Sequence, residues 1–186
     1  MKTLHEYITE RFVQQLKTIK TEQEFAEYLN TKIKQSPNGI IDLSNLSFDK
    51  SLKYLNNLFD AYIYNELSYL NGDSAEYDEF QKMLDNLKEI KSLNVSGWQT
   101  NNVKTLTAIF QGLANLEEIY GLDTWNLDSC EDVSMMFSGC KNLKEITGFE
   151  KFLQNIKKGT ETRHMLFGCK SLDDNYKELL KKYEIS

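Results

Sequence analysis

Apolar and polar positions along this chain fall into a pattern that returns. Ile109-Phe110-Gln111-Gly112-Leu113-Ala114-Asn115-Leu116-Glu117-Glu118-Ile119 recurs as Met136-Phe137-Ser138-Gly139-Cys140-Lys141-Asn142-Leu143-Lys144-Glu145-Ile146. A shorter copy runs Leu166-Phe167-Gly168-Cys169-Lys170-Ser171-Leu172, and a fourth, lacking its start, is Leu84-Asp85-Asn86-Leu87-Lys88-Glu89-Ile90. Trp98, Trp125 and Phe152 follow at a step of 27, as do Val103 and Cys130. A fixed period of this size predicts stacked supersecondary units, each too small to bury its own apolar face.

Other periodicities flank the repeats. Leu4, Ile8, Phe12 and Leu16 fall four apart, with Val13 and Ile19 on adjoining turns, which predicts an amphipathic helix. Thr21-Glu22-Gln23-Glu24 has the form of a capping box, so a second helix should follow with Phe25, Leu29 and Ile33 on one face. Ser36-Pro37-Asn38-Gly39 ends it, because proline blocks continuation and Asn-Gly supplies a tight turn. Ile40-Ile41-Asp42-Leu43-Ser44-Asn45-Leu46 then alternates like a short strand. Leu52, Leu55, Leu58 and Phe59 repeat the spacing of Val103, Leu106, Ile109 and Phe110, so residues 40–59 read as a divergent first repeat. Further strands are expected near 93–95, 120–122 and 147–149, each leading into the Trp or Phe position, a short helical segment and the Phe-x-Gly turn. Near the end, Ser171-Leu172-Asp173-Asp174 predicts a cap for a last helix carrying Leu172, Tyr176, Leu179 and Leu180.

The run from Asn86-Leu87 through Leu93-Asn94-Val95-Ser96-Gly97-Trp98 to Val103, Leu106, Ile109-Phe110 and Gly112 resembles the BspA-type leucine-rich repeat, known from bacterial surface proteins and mycoplasma lipoproteins. Leu122-Asp123-Thr124-Trp125 with Val133 and Met136-Phe137-Ser138-Gly139-Cys140 resembles it equally. The resemblance covers residues 84–172 and extends back to 40. The helical start before a divergent first repeat also looks like short, leaderless members of that family carried by phages and mobile elements. What the resemblance implies is an α/β fold: a short leucine-rich-repeat solenoid with a ladder of short strands, a helical N-terminal cap and a C-terminal helix. The expected divisions are a cap over 1–39, repeats over 40–172 with an acidic Tyr-rich insertion at 60–81, and a capping helix over 173–186. Repeats of this family are scaffold, so the resemblance carries over no catalytic residue.

Composition fits a packed single domain. Of the 186 residues, 40% are hydrophobic and 12% aromatic, enough to exclude wholesale disorder. The net charge of −6 argues against direct nucleic-acid binding, which calls for a basic patch. No apolar stretch resembles a signal peptide or a membrane span, so a soluble, cytoplasmic protein is expected. Cys130, Cys140 and Cys169 stand in slots held elsewhere by Val103 and Leu113, which marks them as buried thiols. Paired spacings for a metal or redox site are absent, and only His5 and His164 are available as imidazoles. No catalytic, cofactor or metal site is expected, and the chain is read as a non-enzyme.

Function is expected where the repeat fails. From Tyr54 to Gln81 the chain holds no Lys or Arg, but six acidic residues and half of its tyrosines. Insertions in repeat arrays loop out on one face, and tyrosine is favoured at interface hot spots. The expected partner-binding residues are Tyr62, Tyr64, Tyr69, Asp73, Glu76, Tyr77, Asp78 and Glu79, joined on the outward strand face by Tyr120 and Asp123. The degenerate third copy around Arg163 is a second place to look. The expected function is a non-enzymatic protein-binding module. Its sharper form is a phage-encoded, anti-CRISPR-like inhibitor of a bacterial defence system that meets a basic nucleic-acid-binding host protein. The alternatives are a cell-surface adhesion module and a structural protein of a phage or self-assembling array.

Overall fold

The computed structural model describes residues 16–56, 58–59 and 85–185. Its elements are β1 (Lys17–Ile19), α1 (Glu22–Gln35), β2 (Ile40–Asp42), β3 (Leu46–Phe48), β4 (Ser92–Asn94), β5 (Glu118–Tyr120), β6 (Glu145–Ile146), α2 (Phe149–Asn155) and α3 (Asp174–Lys182), with a 3-10 turn at Leu122–Thr124. The strands form two parallel sheets, one of β1 and β3, the other in the order β2-β4-β5-β6. In the larger sheet Ile41, Leu93, Ile119 and Ile146 line up in register and are all buried. Each such side chain contributes about 1.5–3 kcal/mol by leaving water.

This arrangement corrects the expectation of a leucine-rich-repeat solenoid. The fold is α/β, but its strands are divided between two separate sheets, and among the described residues of the regular copies no helix recurs before the Phe-x-Gly turns. Local backbone explains both departures. The alternating run from Ile40 to Leu46 does not stay one strand: Asn45 adopts a φ of 58°, and the Asp42 carboxylate accepts the Ser44 N–H at 3.0 Å. That turn sends Ile40–Asp42 into one sheet and Leu46–Phe48 into the other. The expected helical segment before each Phe-x-Gly turn is a series of turns instead. Ala108 and Met135 each have a φ of 54° and His164 one of 59°, values that interrupt a right-handed helix.

Other expectations shift at their edges. The helix foreseen through Ile19 ends as strand, for Lys17–Ile19 pairs in parallel with Leu46–Phe48; residues 1–15 of that stripe lie outside the described residues. The strands near 93, 120 and 147 begin one or two residues earlier than expected. Gly121 and Gly148 terminate two of them, with φ values of 99° and 76°. A Cβ on Gly121 would lie 2.3 Å from the Ser96 backbone nitrogen, so neighbouring units meet there backbone to backbone. Helix α1 starts where its capping box sits: Thr21 accepts the Glu24 N–H at 3.1 Å, while the Glu24 carboxylate takes the Lys20 N–H at 2.8 Å. Phe25, Leu29 and Ile33 are its buried face. Helix α3 is capped by Asp173, whose side chain accepts the Asn175 N–H.

The interior is tied across units as well as packed. Trp98 and Trp125 stack at 5.1 Å with their planes 11° apart. Their indole N–H groups donate to the carbonyls of Leu43 and Val95, at 2.7 and 2.9 Å. Phe152, next in that series, meets Trp125 edge-on at 6.4 Å and has no N–H to continue the bonds.

Candidate functional site

Most of the expected binding residues lie outside the described part: Tyr62, Tyr64, Tyr69, Asp73, Glu76, Tyr77, Asp78 and Glu79 all do, as does the insertion at 60–81. Tyr120 and Asp123 are described. Tyr120 stands on the outer face of the larger sheet, in register with Asn94. Partial burial raises its phenol pKa first, and the nearby Asp42 and Glu118 carboxylates raise it further. The row is knitted: Asn94 donates to the Asp42 carboxylate at 2.9 Å, and Ser96 Oγ donates to the Asn94 side chain at 2.7 Å. Asp123 packs against Gly148, where a Cβ would lie 2.8 Å from the Asp123 Cβ, and its carboxylate is 3.7 Å from Lys151 Nζ. Both residues are therefore engaged with neighbouring units of the same chain.

A different surface emerges from the degenerate third copy. Parallel bridges join Tyr54 to Thr105, Thr105 to Asp132 and Asp132 to Glu161, and a ladder of turns follows them. The N–H groups of Leu106, Ala108, Phe110 and Gly112 donate to the carbonyls of Asp132, Ser134, Met136 and Ser138. One layer on, those of Val133, Met135, Phe137 and Gly139 donate to Glu161, Arg163, Met165 and Phe167, all at 2.8–2.9 Å. These bonds fix the register of the third copy. Met165 occupies the slot of Met136, Leu166 that of Phe137, and Phe167 that of Ser138.

Phe167 thus fills a position that is Gln111 and then Ser138 in the preceding layers. It is 68% exposed, whereas Ser138 is buried at 8%. The His164 ring meets it edge-on at 5.8 Å, and Met135, at 37% exposure, is the counterpart of His164 in the layer before. An aromatic, sulfur-containing patch is unusual at turn positions, where polar residues prevail. The signal was in the sequence: the residue before the last glycine of the motif changes from Gln and Ser to Phe. Reading the third copy as a plain Phe-Gly-Cys hid it, since that places the phenyl ring inside.

The edge of the patch is fixed by Glu161. Its carboxylate accepts the N–H groups of Thr162 and Arg163 at 3.1 and 3.0 Å and the Arg163 side chain at 2.9 Å. The Arg163 side-chain bond, followed by its backbone bond, holds the Glu161 pKa below the usual range. The three cysteines are buried and free. Burial pushes Cys169 up to about 11 and Cys140 higher still, so both stay protonated near neutrality and donate to carbonyls of the preceding layer, Phe137 and Phe110. Among the described residues, no group of three or more His, Cys, Asp or Glu side chains is placed to hold a metal ion. No helix among them is long and apolar enough to cross a membrane.

A family model described as "Mycoplasma protein of unknown function, DUF285" matches residues 74–184, more than half of the chain. That family is related to BspA-type repeats, which supports the resemblance at family level and does not itself establish leucine-rich repeats. No curated protein and no solved structure matches the chain.

Proposed function

We propose that this chain, which belongs to the DUF285 family, is a non-enzymatic protein-binding module acting in the cytoplasm, and that the surface around Phe167 makes the contact. The exposure of Phe167 at a slot that is polar in both earlier layers carries this reading. Aromatic side chains supply large contact area at small entropic cost, and a rigid backbone underneath keeps that cost low. Here the ladder bond from the Gly139 N–H to the Phe167 carbonyl, at 2.8 Å, fixes the residue that bears the ring.

The test is photo-crosslinking. A benzophenone side chain is placed at position 167, and in a control at Gln99, followed by exposure to lysate of the organism that carries the gene. A discrete adduct from position 167 and none from position 99 is the expected outcome. Identical adduct patterns from both positions, or none from either, would sink the reading. The sharper form, an inhibitor that offers carboxylates to a basic nucleic-acid channel, draws on the acidic stretch before Gln81. Reversing Asp73, Glu76, Asp78 and Glu79 to lysine should then abolish inhibition without unfolding the chain.

A further inference from the structure

The turn ladder has a direction. From Leu106 to Gly112 and from Val133 to Gly139 the N–H groups at alternate positions donate to carbonyls of the following layer, while at the start of each layer Lys104, Glu131 and Glu161 donate back to the preceding one. The last layer inherits half of this pattern. Its carbonyls at Arg163, Met165 and Phe167 are taken by Met135, Phe137 and Gly139. Its N–H groups at His164, Leu166 and Gly168, the counterparts of those three donors, have no acceptor among the described residues. Glu161 satisfies only the start of the layer, at Thr162 and Arg163. Three backbone donors at alternate positions therefore face outward beside the exposed Phe167 ring.

Such an edge selects its occupant. A row made of donors alone cannot pair with a second copy of itself, because a two-fold related edge would bring N–H against N–H. The partner must bring acceptors. The surrounding charge narrows the choice. Residues 158–170, the open layer and its flanks, carry Lys158, Arg163 and Lys170 against Glu161, a local charge of +2 in a chain whose total is −6. Lys158 and Lys170, on either side of the open layer in sequence, make no ion pair among the described residues. A cleft of about 470 Å³ lined by Lys157, Lys158, Thr160, Thr162, Tyr183 and Ile185 opens next to the start of that layer.

We infer that this open end docks an extended acidic polypeptide segment, whose backbone carbonyls or carboxylates accept from the His164, Leu166 and Gly168 N–H groups while Phe167 covers its apolar side chains. The inference rests on the binding role proposed above and specifies its mode: main-chain pairing gives affinity, and Lys158 and Lys170 give the preference for acidic sequence.

The experiment titrates the full isotope-labelled chain with an octapeptide alternating glutamate and valine, followed by amide NMR. A lysine-valine octapeptide serves as the control. Saturable shifts of the His164, Leu166 and Gly168 amides with the acidic peptide alone are expected. Lys158→Glu combined with Lys170→Glu should weaken binding about tenfold or more while the remaining spectrum is retained. Absence of binding, equal binding of both peptides, or shifts confined to other residues would overturn the inference. So would a free chain that self-associates with these amides already protected, which would assign the edge to a second copy. If crosslinking from position 167 still finds a partner while these amides stay silent, the mode fails and the binding role stands.

Discussion

The final layer of this protein contains two edges that received opposite treatment. On the sheet side, β6 ends the larger sheet, and its Ile146 N–H donates to the Tyr176 hydroxyl at 2.9 Å. Helix α3 carries that tyrosine, packs its ring on Phe149 at 5.6 Å and ties back through Lys182 to Glu150 at 2.6 Å. On the turn side, the homologous groups at His164, Leu166 and Gly168 are left open, with an exposed phenylalanine among them. Both edges end the same parallel stack, so the same physics would favour covering both. One was covered from within the chain. The other, at His164, Leu166 and Gly168, has no acceptor among the described residues.

The comparison can be broken most directly by hydrogen exchange. The Ile146 amide should exchange only through opening of α3 or of the fold, whereas the His164, Leu166 and Gly168 amides should exchange within the first time points. Comparable protection at all four would erase the distinction. Next in size, Tyr176→Ala removes the ring and the acceptor together from a half-buried site. Urea unfolding should show a loss of about 2–3 kcal/mol. Tyr176→Phe isolates the hydroxyl and should cost about 1 kcal/mol, the penalty for leaving one buried N–H without its partner. A loss near zero would mean that water replaces the hydroxyl easily, and that the sheet edge is less closed than its geometry indicates.

Thiol titration sharpens the picture on the turn side. Cys169 lies under the open layer, yet burial keeps its pKa raised to about 11, above the ordinary thiol value. A group whose folded pKa is raised contributes stability that is complete below the unfolded value and is lost as pH climbs through the folded one. Stability should therefore be flat on this account up to about pH 8.5 and fall between there and about pH 11. Cys169→Ala should make that alkaline decline shallower in an unfolding series, with the buried Cys140 thiol, raised further still, supplying the part that remains. The smallest effect is expected at the patch itself: Phe167→Ser should change stability by no more than about 0.5 kcal/mol, since the ring packs little of the interior. A larger loss would make Phe167 a structural residue and weaken its role in binding.

Much of the interior could be read from residue order. The Trp98, Trp125 and Phe152 series, the buried row of α1 and the cysteines in the Val and Leu slots are local periodicities, and each was placed correctly. The boundaries were not. Whether Ile40 to Leu46 stays one strand depends on Asn45 taking a left-handed conformation, which the alternating pattern does not encode. The third copy shows the same limit. Its Leu166-Phe167-Gly168-Cys169 can be laid on the motif with either Leu166 or Phe167 in the inward slot, and only the bonds from Phe137 to Met165 and from Gly139 to Phe167 decide between them.

By itself the sequence determined which side chains are apolar, at what period they return and where glycines allow the chain to turn. These are properties of short segments, set by side-chain chemistry and local sterics. The tertiary structure alone decided that the strands divide into two parallel sheets, that Phe167 points outward, and that one edge of the last layer is capped while the other is open. Those outcomes depend on whether a following layer exists to receive each N–H, a relation between residues some thirty positions apart, such as Ile146 and Tyr176, which the pattern within a single repeat does not contain.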